Sequence, residues 1–291
     1  MIVPNPAGGP MDTVARVIAE RVRGPLGQPI IIENVPGASG SIGTGRVARA
    51  AADGYTLSLG GWSQYVANGA VYALKYDLVQ DFEPVGLIAT QPLLLVANKS
   101  MPANDLKELI AWLKTNPGKA LQGTGGHLDH VAGVFFQKET GTRFGFVPYR
   151  GISQAMQDLV GGQINLMIAT APTALPSMHA GSIKAYAVTA KSRLATASDI
   201  PTADEAGLNN FHFSSWQALW APKGTPKDLI AKLNGAVVEA LADPAVRRRL
   251  TDLGQEIFPR EQQTPEALGA FQKAEIEKWW PIIKEAGIKP E

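Results

Sequence analysis

Apolar positions along the chain alternate between short extended runs and runs with a helical period. Ile2-Val3 breaks into Pro4-Asn5-Pro6-Ala7-Gly8-Gly9, and beyond it Val14, Val17, Ile18 and Val22 recur at helical spacing. Pro10 falls in the first turn of that helix, where a missing N–H costs nothing. The helix is predicted to end near Gly24 and Gly27, with a β-branched strand from Pro29 to Glu33 and a second glycine-rich turn from Asn34 to Ser41. A helix from about Ile42 to Ala51, a turn at Asp53-Gly54 and a strand from Tyr55 to Leu59 follow, closing on Gly60-Gly61-Trp62-Ser63. Strand, loop and helix in succession predict a parallel sheet with right-handed crossovers. The loops then share the edge at the strands' carboxyl ends, where open α/β sheets bind ligands.

Phe82 to Asn98 is rich in valine and leucine and is interrupted by Pro84 and Pro92, so it reads as two strands, the second crossing into another domain. Asp105 to Asn116 is an amphipathic helix stopped by Pro117-Gly118. A third glycine-rich loop, Leu121 to His130, leads into a helix from about Val131 to Thr140, and Val147-Pro148-Tyr149-Arg150-Gly151 precedes another helix. Strands are expected at Ile164–Ile168, ending in Ala169-Thr170-Ala171, at Ile183–Thr189, and at Phe213–Ala221 returning to the first domain. Helices over Pro226–Leu241, Ala245–Leu253 and Pro265–Ala286 close the chain. This order predicts two α/β lobes, residues 1–97 with 218–291 and residues 98–217, joined by two crossing strands around a ligand cleft.

With 291 residues and 45% hydrophobic content, the chain can build two cores. A formal net charge of +1, with no basic run longer than Arg247-Arg248-Arg249, gives no reason to expect nucleic acid or an anionic membrane as partner. The absence of cysteine excludes disulfides, thiolate metal sites and a cysteine nucleophile. No apolar run reaches membrane-spanning length. Met1 abuts what reads as the middle of a strand, so a leader is expected to have been removed.

The first turn, Gly8-Gly9-Pro10-Met11-Asp12, reads as an anion cradle, because the bare N–H groups at a helix start suit a carboxylate. A plain strand-to-helix turn is the competing reading. Asp12 is expected to fold back and cap the helix's own N–H groups rather than repel an anion. Gly43-Thr44-Gly45-Arg46-Val47-Ala48 has the letters of a dinucleotide fingerprint, but its glycines fall within a helix. His127 and His130 flank Asp129 without an obvious third ligand, so a metal is not expected, although either imidazole could donate to an anion. Ser39-Gly40-Ser41 lacks nucleophile-elbow spacing. Trp279 and Trp280 read as packing residues, whereas Trp62 and Trp216 fit either the core or a ligand wall.

Taken together, these residues resemble the solute-binding receptors of tripartite tricarboxylate transporters, the Bug or TctC family. The likeness is carried by Val3-Pro4 through Gly8-Gly9 to Asp12, Glu33-Asn34 with Pro36-Gly37-Ala38 and Gly40, Asp53-Gly54-Tyr55-Thr56-Leu57, and Tyr76-Asp77 with Asp81-Phe82 and Pro84-Val85. It continues through Pro117-Gly118, Val147-Pro148-Tyr149 with Gly151, Gly161-Gly162-Gln163, Pro201-Thr202 with Glu205-Ala206-Gly207, Ala221-Pro222 with Gly224-Thr225-Pro226, and Lys278-Trp279. In this order the motifs span essentially the whole chain.

The resemblance implies a type II periplasmic-binding-protein fold, α/β in class. It also implies a periplasmic location, hinge closure on a small organic carboxylate, and delivery to membrane permease subunits. No catalytic residue, cofactor or metal is implied, and a monomer is expected. Carried onto this chain, one carboxylate would meet Gly8, Gly9, Met11, Asp12, Ala38 and Ser39, with Trp62 and Ser63 nearby. The second lobe would contribute Thr124, Gly125, Gly126, His127, Tyr149, Ala169 and Thr170, with Arg150 beside Tyr149. Departures bear on specificity. Asn5 replaces a usual aromatic, Met11 a frequent threonine, and Ala169-Thr170 stands where an aspartate is common. Losing that acid removes a partner for a ligand amine, which favours a plain dicarboxylate or an aromatic acid. The rivals are an enzyme on the same two-lobe fold acting on a small organic acid, and the effector domain of a regulator carrying a DNA-binding helix pair upstream.

Overall fold

The computed structural model describes residues 1–149 and 151–288, so Arg150 lies outside the described residues. The chain forms two compact units, Met1–Thr90 with the segment from Trp216 onward, and Gln91–Ser215. The divisions fall within two strands, whereas the sequence reading puts them at 97/98 and 217/218.

The first unit opens with β1 (Ile2–Val3), α1 (Pro10–Leu26), β2 (Glu33–Asn34), α2 (Ser41–Ala48), β3 (Ser58–Gly61) and α3 (Asn68–Val71). β1 pairs in parallel with both β2 and β3, as the repeated strand-loop-helix pattern requires. β2 is much shorter than the expected Pro29–Glu33 strand. Among the described residues its ladder partners are Ile2 and Val3, and a strand extends no further than the neighbour that satisfies its backbone. α1 runs through Gly24 and stops at Gly27, whose left-handed conformation lets its N–H bond back to Arg23 and Gly24.

β4 (Phe82–Asn98) begins in the first unit and ends in the second as one continuous strand, not the expected two. Pro92 does not break it, because Pro92 falls between Thr90, which faces Glu256, and Leu93, which faces Thr170. At that position it need not donate to either of those two ladders.

The second unit continues with α4 (Leu106–Thr115), β5 (Leu121–Thr124), α5 (His127–Thr140), β6 (Gly145–Pro148), α6 (Ile152–Val160), β7 (Leu166–Thr170), α7 (Ala171–His179) and β8 (Ile183–Val188). β5 is parallel to β6 and β7, while β4 is antiparallel to β7 and β8. Asp105 starts α4 by accepting from the Glu108 N–H at 2.8 Å, and Glu108 Oε2 accepts from the Asn104 N–H at 2.7 Å, a reciprocal cap. α5 begins at His127, earlier than the expected Val131. Both histidines therefore sit in its first turn.

β9 (Ser214–Pro222) returns to the first unit and pairs antiparallel with β3. α8 (Lys227–Ala242), α9 (Pro244–Asp252), the unanticipated β10 (Glu256–Ile257) and α10 (Pro265–Glu285) follow, with β10 antiparallel to β4. Among the described residues, no helix is long and apolar enough to cross a membrane.

Each unit has its own core. In the first, Val14, Val17, Ile18 and Val22 of α1 join Leu59, Ile88 and Leu219 of the sheet and Leu233 and Val237 of α8. In the second, Leu94, Val96, Met167 and Val188 of the sheet join Met156 and Leu159 of α6. Ile18 is fully buried, so Ile18→Ala should cost roughly 2–5 kcal/mol through lost burial and the cavity left behind. Urea unfolding checks this, and a loss below about 1 kcal/mol would contradict the assigned packing of α1.

Candidate functional site

In the first unit, the chain segments leaving β1, β2 and β3 form one hydrogen-bonded network. Gly9 is the N-cap of α1, with backbone in the extended region and no side chain to satisfy the helix's first N–H groups. Pro10 has no N–H, so the donors left open in this turn are those of Met11 and Asp12.

Asp12 does not cap its own helix, contrary to expectation. Its Oδ2 accepts from the Gly8 N–H at 2.9 Å and from Arg16 Nε at 2.9 Å, and its Oδ1 accepts from Asn34 Nδ2 at 3.0 Å. The carboxylate is buried, at 2% exposure. The Arg16 guanidinium, followed by the Gly8 N–H and the Asn34 amide, holds its pKa down to about 2 against burial that would raise it. The Gly8 N–H therefore faces Asp12, and Arg16 stands beside the acid as its counter-charge.

The second turn is strained. Gly37, Ala38, Ser39 and Gly40 have φ of 115°, 46°, 50° and 87°. Positive φ in Ala38 and Ser39 costs energy that surrounding structure must supply. Here Ser39 C=O accepts from Asn68 Nδ2 at 3.0 Å and Gln64 Nε2 at 3.3 Å, and Ser39 Oγ accepts from the Tyr72 hydroxyl at 3.2 Å. Gly40 has to be glycine, because a Cβ there would lie 2.6 Å from the Pro4 carbonyl and 2.8 Å from Gln64 Cγ. Gln64 is presented by a π-turn over Ser63–Ala67 that follows β3. Its Oε1 accepts from the Gly61 N–H at 3.1 Å, and Nε2 also donates to Asn5 Oδ1 at 3.3 Å.

Asn34, Gln64, Asn68 and Tyr72 did not emerge as site residues from the sequence. Asn34 stands in a quoted motif, and Gln64 and Asn68 share a helical spacing. These were the available signals. Ser63 begins the π-turn and is half-buried. Trp62 is a correction: it is 1% exposed and meets Trp279 edge-on at 6.0 Å, so it belongs to the core and not to a ligand wall. Trp216 is likewise buried and donates to Glu275 Oε2 at 3.1 Å. Gly43 and Gly45 serve close packing, since a Cβ at Gly43 would lie 2.6 Å from the Val35 carbonyl and one at Gly45 2.9 Å from Tyr76 Cε1.

The second unit repeats the first turn's arrangement. β5 ends at Thr124, Gly126 is the N-cap of α5, and the Gly125 N–H donates to Asp129 Oδ2. His127 takes the first helical position and is buried. The His130 ring lies 4.3 Å from Phe146, and burial, then the neighbouring His127, lowers its pKa. Tyr149 joins this turn by donating its N–H to the Thr124 carbonyl at 2.7 Å. Its hydroxyl donates to Asp158 Oδ2 at 2.7 Å, and burial, then that carboxylate, raises its pKa to about 12. Ala169 is buried in the strand core, while Thr170 caps α7 and pairs its hydroxyl with Thr173 at 3.0 Å. Among the described residues, no group of three or more His, Asp or Glu side chains converges as a metal site would need.

Asp12 carries a pH signature. Its folded-state pKa is depressed from 3.8 to about 2, so its contribution to stability is complete above the ordinary value and lost as pH falls through about 2. Asp12→Asn should therefore lower Tm at neutral pH, and its gap to the wild type should narrow as pH is taken from about 5 toward 2. A gap that stays constant over that range would show that the charge does not hold the turn.

The description "Tripartite tricarboxylate transporter family receptor" (TctC) matches residues 14–288 of the chain. The periplasmic binding protein BugD has a similar structure, with TM-score 0.82 and 37% identity, covering 99% of this chain and 97% of that one. MatC from Rhodopseudomonas palustris with bound malate matches at TM-score 0.82 and 38% identity, covering 97% of each chain. A second R. palustris protein, solved with adipate, matches at TM-score 0.84 and 34% identity, covering 100% of this chain and 97% of its own. The parallel strands, the glycine turns at their carboxyl ends and these likenesses agree, and the chain belongs to the TctC family of solute-binding receptors.

Proposed function

We propose that the protein is a periplasmic receptor that captures a small organic carboxylate and delivers it to the membrane permease of a tripartite tricarboxylate transporter. The observation that carries this reading is the strained turn at Ala38 and Ser39, set in one network with the open first turn of α1. A chain that spends backbone strain at such a place gains oriented N–H groups, and oriented N–H groups recognise an anion whatever carbon skeleton it carries. In this reading the N–H groups of Gly9, Met11 and Ala38 hold one carboxylate, with Ser39 and Ser63 beside it. The second unit offers a turn of the same kind at Thr124–His127.

A dicarboxylate is the favoured ligand. The malate and adipate bound by relatives are dicarboxylates, and Ala169-Thr170 supplies no acid for an amine. A ligand that binds only the native state raises Tm by mass action. A thermal-shift screen of dicarboxylates, tricarboxylates, aromatic acids and acidic amino acids should therefore single out dicarboxylates. Gly9→Val should abolish that shift while the protein still melts cooperatively. Silence across every acid, or an undiminished shift in Gly9→Val, would contradict the proposal.

A further inference from the structure

We infer that Asn5 is a specificity-determining residue that donates a hydrogen bond to an oxygen on the carbon beside the bound carboxylate. The ligand class this selects is 2-hydroxy or 2-oxo dicarboxylates. The inference rests on the proposed carboxylate site and deepens it.

Groups with no choice of role fix the direction of the hydrogen bonds around Asn5. The Gly61 N–H can only donate, so the Gln64 atom it meets must be the carbonyl oxygen Oε1. Gln64 Nε2 is then a donor, and its protons go to the Ser39 carbonyl and to Asn5. The Asn5 atom receiving one must be Oδ1. On the other side, the Asp12 carboxylate, ionised above about pH 2, can only accept, so Asn34 turns its NH2 group toward it. That NH2 also donates to the main-chain carbonyl of Asn5 at 3.2 Å. Both oxygens of Asn5 are thereby committed as acceptors. What remains is its Nδ2, a donor with no partner among the described residues, on a half-buried side chain just past the carboxyl end of β1.

The placement gives this donor a use. Asn5 is bonded to the residue that holds the strained turn, Gln64, and to the residue that holds Asp12 at the start of α1, Asn34. It therefore stands between the two turns that would grip the carboxylate. A donor at that point reaches atoms next to the carboxylate and not the far end of the ligand. An unsubstituted methylene there would leave the amide unpaired, whereas a hydroxyl or keto oxygen would accept from it.

The test is calorimetric titration of the full chain with matched pairs: succinate against each enantiomer of malate, and glutarate against 2-oxoglutarate. The wild type should bind the oxygen-bearing member of a pair roughly tenfold tighter than its partner, as expected for one hydrogen bond gained. Asn5→Leu should bring that ratio close to one, with Tm measured alongside to show that the variant is folded. Asn5→Asp keeps the acceptor for Gln64 and replaces the free donor by an anion, so it should also lose the preference and weaken every dicarboxylate. A wild-type ratio near one, or an unchanged ratio in folded Asn5→Leu, overturns the inference and leaves the carboxylate site standing. No binding by any member of either pair overturns both.

Discussion

A buried carboxylate at the third position of a helix, bonded back to the glycine that precedes the helix cap, is the constraint on which the candidate site depends. Asp12 does this for Gly8, and Asp129 does it for Gly125. A glycine turn without such a bond would sample many conformations, and its N–H groups would not share a direction. The cost is a negative charge near the place where an anion would bind. Arg16, the Gly8 N–H and Asn34 stabilise that charge, and the Asp12 pKa falls to about 2. The fixed charge then acts as structure.

The second turn works by a different means. Gly37 to Gly40 is held in left-handed backbone by Gln64, Asn68 and Tyr72, all from the segment after β3. The sheet order places this segment where it is needed, because β1 has β2 on one side and β3 on the other. Strain in one loop is thus sustained by side chains from another, anchored in turn to the Gly61 backbone. Rigid strands fix the spacing, and amide side chains transmit it.

The parts of this design that are local in sequence were legible in it. Glycine and proline report backbone conformation directly, so the turns after β1, β2 and β5 and the parallel arrangement of the first unit could be read from spacing. Features set by distant partners could not. The length of β2 is decided by the two residues of β1, and the continuity of β4 by where β10 and β7 pair around Pro92. Asp12 was recognised but its direction was not, since its partners Arg16 and Asn34 compete with the helix's own N–H groups. Gln64 and Asn68 look like ordinary helical amides until the fold brings Ser39 to them. Trp62 could have faced either way, and Trp279, far along the chain, decides that it is core.

The central claim is that backbone N–H groups of the two first-unit turns hold a carboxylate. The most direct measurement is a 1H–15N correlation spectrum of the protein titrated with malate. The account predicts that the amide protons of Gly9, Met11 and Ala38 move downfield together with a single saturation curve, while Gly8, already bonded to Asp12, moves much less. Saturable binding that leaves those three amides in place would contradict it.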